Sequence, residues 1–354
     1  MRANELIVAG VPGPDLDKTS AALLAEHRPG GVVLLGWNVK TLEQLLELTA
    51  SIRRILPEAI LCIDAEGGRV DRLRDVVAPA PAAARLAIHP ASLAFQAGRW
   101  IAQALRLFDV DVDFAPVVDL DRGERDNALD GRYLGSSPEQ VIPRARAFLR
   151  GLHSGGAGGC VKHFPGLGGA GADTHHQGSA VFLPAAELAA DLEPFAALAE
   201  LAGAVMVGHG AYPAYDSTMR PATLSPEIIG GLLRGRLAFE GWVVSDDLEM
   251  KALAGWGELP DRALTAFAAG CDALLVCHRL TDLPAVIERL EDPSLEERRA
   301  EALARLDVYR QRLATLRAAR DHASQLGEAS GGGLEAVRQA LQQITASAEG
   351  GTAE

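Results

Sequence analysis

Eight short apolar runs, at residues 6–9, 32–35, 60–64, 112–118, 160–163, 205–209, 242–246 and 273–277, restrict the fold of this chain more than any other feature. They are continuous in Val, Ile, Leu, Ala or Met, without the polar alternation of a half-solvated strand. Such runs suit strands covered on both faces, as parallel strands under helices are. Gly, Pro or charged residues follow each run, and amphipathic stretches separate them. In residues 42–56, apolar side chains fall at Leu42, Leu45, Leu46, Leu48, Ile52 and Ile55, a helical spacing. Residues 91–108, 138–152, 184–201 and 226–237 read likewise. The last opens with Ser225-Pro226-Glu227, a capping residue followed by proline at the first helical position.

Eight strands alternating with helices predict an α/β protein, a single (β/α)8 TIM-type barrel rather than a doubly wound sheet. Residues 283–290 and 295–316 add terminal helices that pack on the barrel. The barrel domain is therefore expected over residues 1–316, with 317–354 a C-terminal helix and flexible tail. Within that tail, the glycine-rich stretch 327–333 reads as a linker, 334–344 as one short helix, and the end from Ser347 as disordered.

Composition removes several partners. A formal net charge of −13 argues against nucleic acid or an anionic membrane surface. No stretch approaches the roughly 20 apolar residues of a membrane span. The first eleven residues carry one Arg and a short apolar run broken by Glu5 and Gly10, too short for a secretory signal. Cys62, Cys160, Cys271 and Cys277 sit in or beside apolar runs with neither redox-pair nor zinc-knuckle spacing, so buried reduced thiols are expected. A cytoplasmic protein, taken as a monomer, is the expectation.

The runs end on polar residues: Asp64, Asp119, Lys162-His163, His209 and Asp246-Asp247. A buried unpaired charge costs several kcal/mol, so each needs a partner or a purpose. Asp119 could cap a loop, His209 could be a satisfied core histidine, and Lys162 could be half of an ion pair. In a parallel barrel, however, the carboxyl strand ends share one rim, and convergence there points to a site for a polar substrate.

The densest segment reads C-V-K-H-F-P-G-L-G-G-A-G-A-D-T-H-H, from Cys160 to His176. After Lys162 and His163 it passes through glycines to Asp173, Thr174, His175 and His176. Either D-T-H-H is a turn with solvated histidines, or His175 works with Asp246. In that second reading Asp246 attacks an anomeric carbon while His175 first protonates the leaving oxygen and later deprotonates water. Asp173 would orient the imidazole.

These residues resemble glycoside hydrolase family 3. The resemblance rests on I-D-A-E-G-G-R-V, D-F-A-P-V-V-D, G-R-Y-L-G, K-H-F-P-G-L-G, D-T-H and S-D-D-L-E-M, in that order, within a similarity extending from about Gly30 to about Arg312. The D-T-H element is similar to that of its β-N-acetylglucosaminidase, NagZ-type, branch. The resemblance implies a retaining exo-β-N-acetylglucosaminidase of the peptidoglycan-recycling type, with Asp246 as nucleophile and Asp173 and His175 as acid/base dyad. It implies that Asp64, Arg72, Arg132, Lys162 and His163 hold a small carbohydrate, with His209 grouped among them, and that neither a metal nor an organic cofactor is used.

Three positions depart from the family pattern. Leu167 stands where P-G-H-G is usual, Thr174 replaces a serine, and Trp37 replaces the basic residue of F-x-R-N. Alternatives are a family member of other sugar specificity, such as a β-glucosidase, and a β-N-acetylglucosaminide phosphorylase. Beyond the family stand a metal-dependent hydrolase with His163, His175, His209 and Asp246 as ligands, and a non-catalytic sugar-binding protein. The glycine-rich path to His175 further predicts a loop that swings over Asp246.

Overall fold

The structure is a computed structural model that describes residues 2–123, 129–170, 180–325 and 333–350. The strands are β1 Ile7–Gly10, β2 Gly31–Leu34, β3 Ile60–Ile63, β4 Ala65–Gly67, β5 Val70–Asp71, β6 Val112–Asp113, β7 Gly158–Gly159, β8 Val161–Phe164, β9 Ala204–Val207, β10 Trp242–Asp247 and β11 Ala273–Val276. Nine of them form one parallel sheet in the order β7-β6-β3-β2-β1-β11-β10-β9-β8. Its two edges, β7 and β8, are separated in the chain by Cys160 alone. One strand therefore pairs with β6 through its first half and β9 through its second, which turns the sheet into an eight-stranded ring. That is the expected barrel. Only β4 and β5 stand outside it, as an antiparallel hairpin after β3.

The helices are α1 Lys18–His27, α2 Leu42–Ile55, α3 Ala83–Leu86, α4 Ala91–Leu107, α5 Pro138–Ser154, α6 Ala185–Ala202, α7 Leu259–Ala269, α8 Leu283–Leu290, α9 Glu296–Gln325 and α10 Leu334–Glu349. The stretch read as a helix over 226–237 is a π-helix, Glu227–Arg236, and the Ser225 hydroxyl accepts the Ile228 N–H at its start. The run 112–118 yields only a two-residue strand, because Pro116 has no N–H to give a ladder. Beyond it the chain follows β8 irregularly, Val118 N–H donating to the Lys162 carbonyl.

Helix α9 closes the amino-terminal end of the barrel. Leu306, Tyr309 and Leu313, at helical spacing, join the barrel interior formed by Val8, Val33, Cys62, Phe114 and their neighbours. Tyr309 stacks on Trp242 at 5.0 Å, and its hydroxyl donates to the Gly159 carbonyl. Fully buried Asp272 accepts from Arg234, Arg298 and Arg305 and so ties α9 to the floor. With the floor plugged, the open end of the barrel is the carboxyl rim.

The boundary expected between residues 316 and 317 falls inside α9. Helix α10 then docks on α4, burying Val337, Leu341, Ile344 and Ala348, while Arg338 donates to the Val76 and Val77 carbonyls. The expected short helix therefore continues to Glu349, into the end read as disordered. Its apolar stripe, spaced every three or four residues, finds an uncovered face of α4. All four cysteines are buried.

Candidate active site

At the carboxyl rim a cleft of about 470 Å³ is lined by Asp64, Arg72, Arg132, Lys162, His163 and Asp246, among others. Each of these six residues was expected at the site, and the barrel brings them together from β3, the β5 hairpin, the segment after β6, β8 and β10. A larger hollow of about 780 Å³ lies at the opposite end, between α6 and α9. None of the strand-end polar groups reaches it, so size alone does not identify the site.

Buried ion pairs hold the cations of the cleft. Lys162 Nζ lies 2.7 Å from Asp64 Oδ1 and 2.5 Å from Glu66 Oε1. Arg132 grips Glu66 in a two-pronged pair, Nε to Oε2 at 2.8 Å and Nη2 to Oε1 at 2.7 Å. Burial would push the Glu66 acid up, but Arg132 and Lys162 outweigh it and hold the carboxyl well below the usual range. Burial likewise opposes the charge on Lys162, and Asp64 and Glu66 reverse it, raising its pKa above the ordinary lysine value. Two cations thus stand fixed and charged at the base of the cleft, where fixed donors suit hydroxyl groups. Arg72 approaches Asp64 at 3.9 Å, and its buried Nε has no hydrogen-bond partner among the described residues.

Glu66 was part of a quoted motif but was assigned no role. The signal was its place two residues after Asp64, which brings both carboxylates to one cation. Asp113 was also missed. Fully buried, it accepts the Ala65 N–H through Oδ1, and burial pushes its acid well above the ordinary range. The cations of the cleft pair with Asp64 and Glu66 instead.

His163 is set by Asp119, whose Oδ2 lies 2.7 Å from Nδ1 and whose oxygens also accept the backbone N–H groups of His163 and Leu167. Nε2 is the ring nitrogen that this pairing leaves for the cleft. Leu167 needs no side-chain hydrogen bond to hold this turn, because its backbone supplies one. Its apolar side chain lines the cleft wall.

Asp246, next to last in β10, has its carboxyl in the cleft, Oδ1 accepting the Asp247 N–H at 2.8 Å. Burial would raise its pKa. The nearby imidazoles of His209 and His163, the Asp247 N–H and Lys162 outweigh that, and the acid lies below its ordinary value of 3.8. The side chain is thus an anion at neutral pH, pointed at the space where the cations converge.

His209 departs from its expected place among the substrate-binding groups. It is 1% exposed and does not line the cleft. Nε2 lies 2.8 Å from the Asp247 carbonyl, which only accepts, so Nε2 carries a proton there. Nδ1 is 2.8 Å from the Thr223 hydroxyl. With both ring nitrogens engaged, His209 is the satisfied core histidine that the sequence left open, and it steadies the Asp246-Asp247 backbone. His209 has no lone pair left for a metal, and no group of three His, Cys, Asp or Glu converges as a ligand set among the described residues. Asp173, Thr174, His175 and His176, and with them the dyad and the swinging loop, lie outside the described residues.

On the β2 and β11 side, the cleft is walled by Trp37 and His278, which the sequence had not joined. Their ring centroids are 5.0 Å apart and tilted by 39°. His278 Nε2 lies 3.1 Å from Asp247 Oδ2, and that contact raises its pKa above 6.5 against the effect of burial.

A model of the glycosyl hydrolase family 3 N terminal domain matches residues 2–311. A beta-hexosaminidase of Alkalilimnicola ehrlichii is 39% identical over 303 residues, covering 81% of this chain and 84% of that protein. One from Pseudomonas aeruginosa is 36% identical over 333 residues, covering 88% and 98%. Among solved structures, NagZ from Neisseria gonorrhoeae in complex with N-trifluoroacetyl-D-glucosamine matches with a TM-score of 0.79 at 30% identity, over 97% of this chain and 98% of that one. A glycoside hydrolase family 3 beta-N-acetylglucosaminidase from Paenibacillus matches with a TM-score of 0.85 at 30% identity, over 97% and 67%.

Proposed function

This chain belongs to glycosyl hydrolase family 3, and on that premise we propose that it is a retaining exo-β-N-acetylglucosaminidase acting on muropeptide-type fragments in the cytoplasm. The observation that carries the reading is the ionised Asp246 carboxylate, facing a cleft whose Asp64, Arg72, Arg132, Lys162 and His163 can hold the hydroxyls of one sugar. In the proposed reaction an Asp246 oxygen bonds to the anomeric carbon as the glycosidic C–O bond breaks. His175, oriented by Asp173, gives its proton to the leaving oxygen. His175 then takes a proton from water, which attacks the same carbon and releases Asp246. The two inversions leave the β configuration unchanged. The related beta-hexosaminidases and the NagZ structures support N-acetylglucosamine as the sugar.

A panel of aryl β-glycosides (N-acetylglucosaminide, glucoside and xyloside), run with and without phosphate, tests sugar and acceptor together. The N-acetylglucosaminide should be preferred, with free sugar rather than sugar-1-phosphate as product. Asp246→Ala should remove turnover without loss of fold, and near-normal activity in that variant would end the nucleophile assignment. His175→Ala should slow substrates with poor leaving groups far more than activated ones, because only the former need the acid. Equal losses on both would count against the dyad.

A further inference from the structure

We propose that Trp37 and His278 form the platform for the leaving half of the substrate, and that this half presents a pyranose ring that stacks on the Trp37 indole. The inference rests on the glycosidase reading above and names the group on the other side of the bond that Asp246 attacks.

Displacement by a carboxylate requires the leaving oxygen to lie across the anomeric carbon from Asp246. When the departing half is a sugar ring, it must therefore lie toward the mouth of the cleft. The sugar-gripping groups Asp64, Arg132, Lys162 and His163 occupy the β3 and β8 side of the floor. The wall between the ends of β2 and β11 is aromatic. Phe114 also lines the cleft but is 1% exposed at its base, so among the described lining residues the aromatic surface at the mouth is Trp37 with His278. The His278 side chain is 50% exposed and Trp37 is partly so.

Both rings are held before any substrate arrives. Trp37 Nε1 donates to the Val11 carbonyl at 2.9 Å. The turn carrying Trp37 is anchored by fully buried Asn38, whose amide donates to the Val11 and Gly13 carbonyls and whose Oδ1 accepts the Leu35 N–H. Asp247 holds His278. At 5.0 Å and 39° the tilted His278 ring packs against part of the indole, so the two rings brace each other on the cleft wall. A large apolar ring fixed at the mouth of a polar cleft, with its one donor already satisfied, has its flat face left to offer. The axial C–H face of a pyranose is the complementary surface, and a preorganised ring loses little freedom on binding. Gly36, which precedes Trp37, lies beside the Arg72 side chain, so the turn carrying Trp37 adjoins the grip on the first sugar: a Cβ on Gly36 would stand 3.7 Å from Arg72 Nη1.

The test compares two substrates in the intact protein. The β-1,4-linked disaccharide of N-acetylglucosamine presents a pyranose to the wall. N-acetyl-β-glucosaminyl fluoride has the same first sugar, but its leaving atom cannot reach Trp37. Trp37→Ala should lower the ratio of kcat/KM for disaccharide over fluoride about tenfold, equivalent to ~1.4 kcal/mol. Trp37→Phe, which keeps an aromatic face, should recover most of that ratio. His278→Ala, which leaves Trp37 in place, should lower it about threefold, and it provides the answer should Trp37→Ala not fold. Ratios within twofold of wild type in Trp37→Ala and His278→Ala, with turnover of both substrates intact, would overturn this inference and leave the glycosidase reading standing. Failure of the wild-type protein on both substrates would overturn the two together.

Discussion

Replacing Glu66 by Gln puts a number on the network that holds the cleft. Glu66 Oε1 accepts from both Arg132 Nη2 (2.7 Å) and Lys162 Nζ (2.5 Å), and Oε2 accepts from Arg132 Nε (2.8 Å). A glutamine can keep its oxygen at the first position, but its NH₂ must then face the Arg132 Nε–H, donor against donor. The flipped amide creates two such conflicts. In either orientation one negative charge is gone from between two buried cations. Breaking a buried pair on one side costs about 3–5 kcal/mol, and Lys162 keeps Asp64 at 2.7 Å, so a loss of about 3 kcal/mol is expected. That is a large share of a typical folding free energy of roughly 5–15 kcal/mol. Urea unfolding of wild type and Glu66→Gln gives the difference, with Glu47→Gln, whose carboxylate meets only Arg54 and the Ser51 hydroxyl in exposed contacts, as a control expected to change nothing measurable.

The pH dependence of this loss is also determined. The Glu66 pKa is depressed in the folded state, so its contribution is complete above the ordinary glutamate range near 4.3 and is lost only as pH falls toward the depressed value. The difference between the two proteins should therefore stay constant from about pH 5 to 8. KM should rise, because Arg132 and Lys162 lose the anchor that positions them for substrate. A destabilisation below about 1 kcal/mol, or one that disappears between pH 8 and 5, would refute this account of the site.

Two further outcomes concern the scaffold. Burial, with Arg312 nearby, lowers the His153 pKa from 6.5 to about 4. The unfolded state therefore binds more protons between those values, and stability falls as pH drops from 6.5 toward 4. His153→Leu should flatten that slope by about 1 kcal/mol between pH 7 and 5.5, and identical slopes would show that the ring titrates normally. Ending the chain after Gln325 removes α10 and uncovers α4. Gross burial of Val337, Leu341 and Ile344, less the entropy of ordering the helix, predicts a loss of about 2–3 kcal/mol, seen as a lower thermal midpoint. An unchanged midpoint would mean that α10 adds nothing to the barrel.

The barrel was legible because a parallel strand covered on both faces must be apolar throughout, and eight such runs leave few other folds. The rim residues Asp64, Lys162, His163 and Asp246 were legible for the same reason, since polar groups closing apolar strands must share one end of the barrel. The helices α1 and α7 went unmarked: α1 buries only Ser20 and Leu24, and the buried face of α7 is mostly alanine, with Leu259 and Phe267 at its ends. Sequence periodicity also could not tell that α9 turns its Leu306, Tyr309 and Leu313 stripe into the barrel floor, or that α10 folds back onto α4.

What the linear order hides is pairing across the ring. Glu66 and Arg132 are 66 positions apart, and Trp37 and His278 are far more distant in the chain, yet barrel closure makes each pair neighbours. His209 shows the converse. Its place at a strand end suggested a substrate contact, but the Thr223 hydroxyl and the Asp247 carbonyl, brought from two other segments, take both ring nitrogens. Residue type and local pattern decide which side chains are available for chemistry. Whether an imidazole faces the cleft or the core depends on which hydrogen-bond partners the packed chain brings within 3 Å, and only the closed barrel decides that.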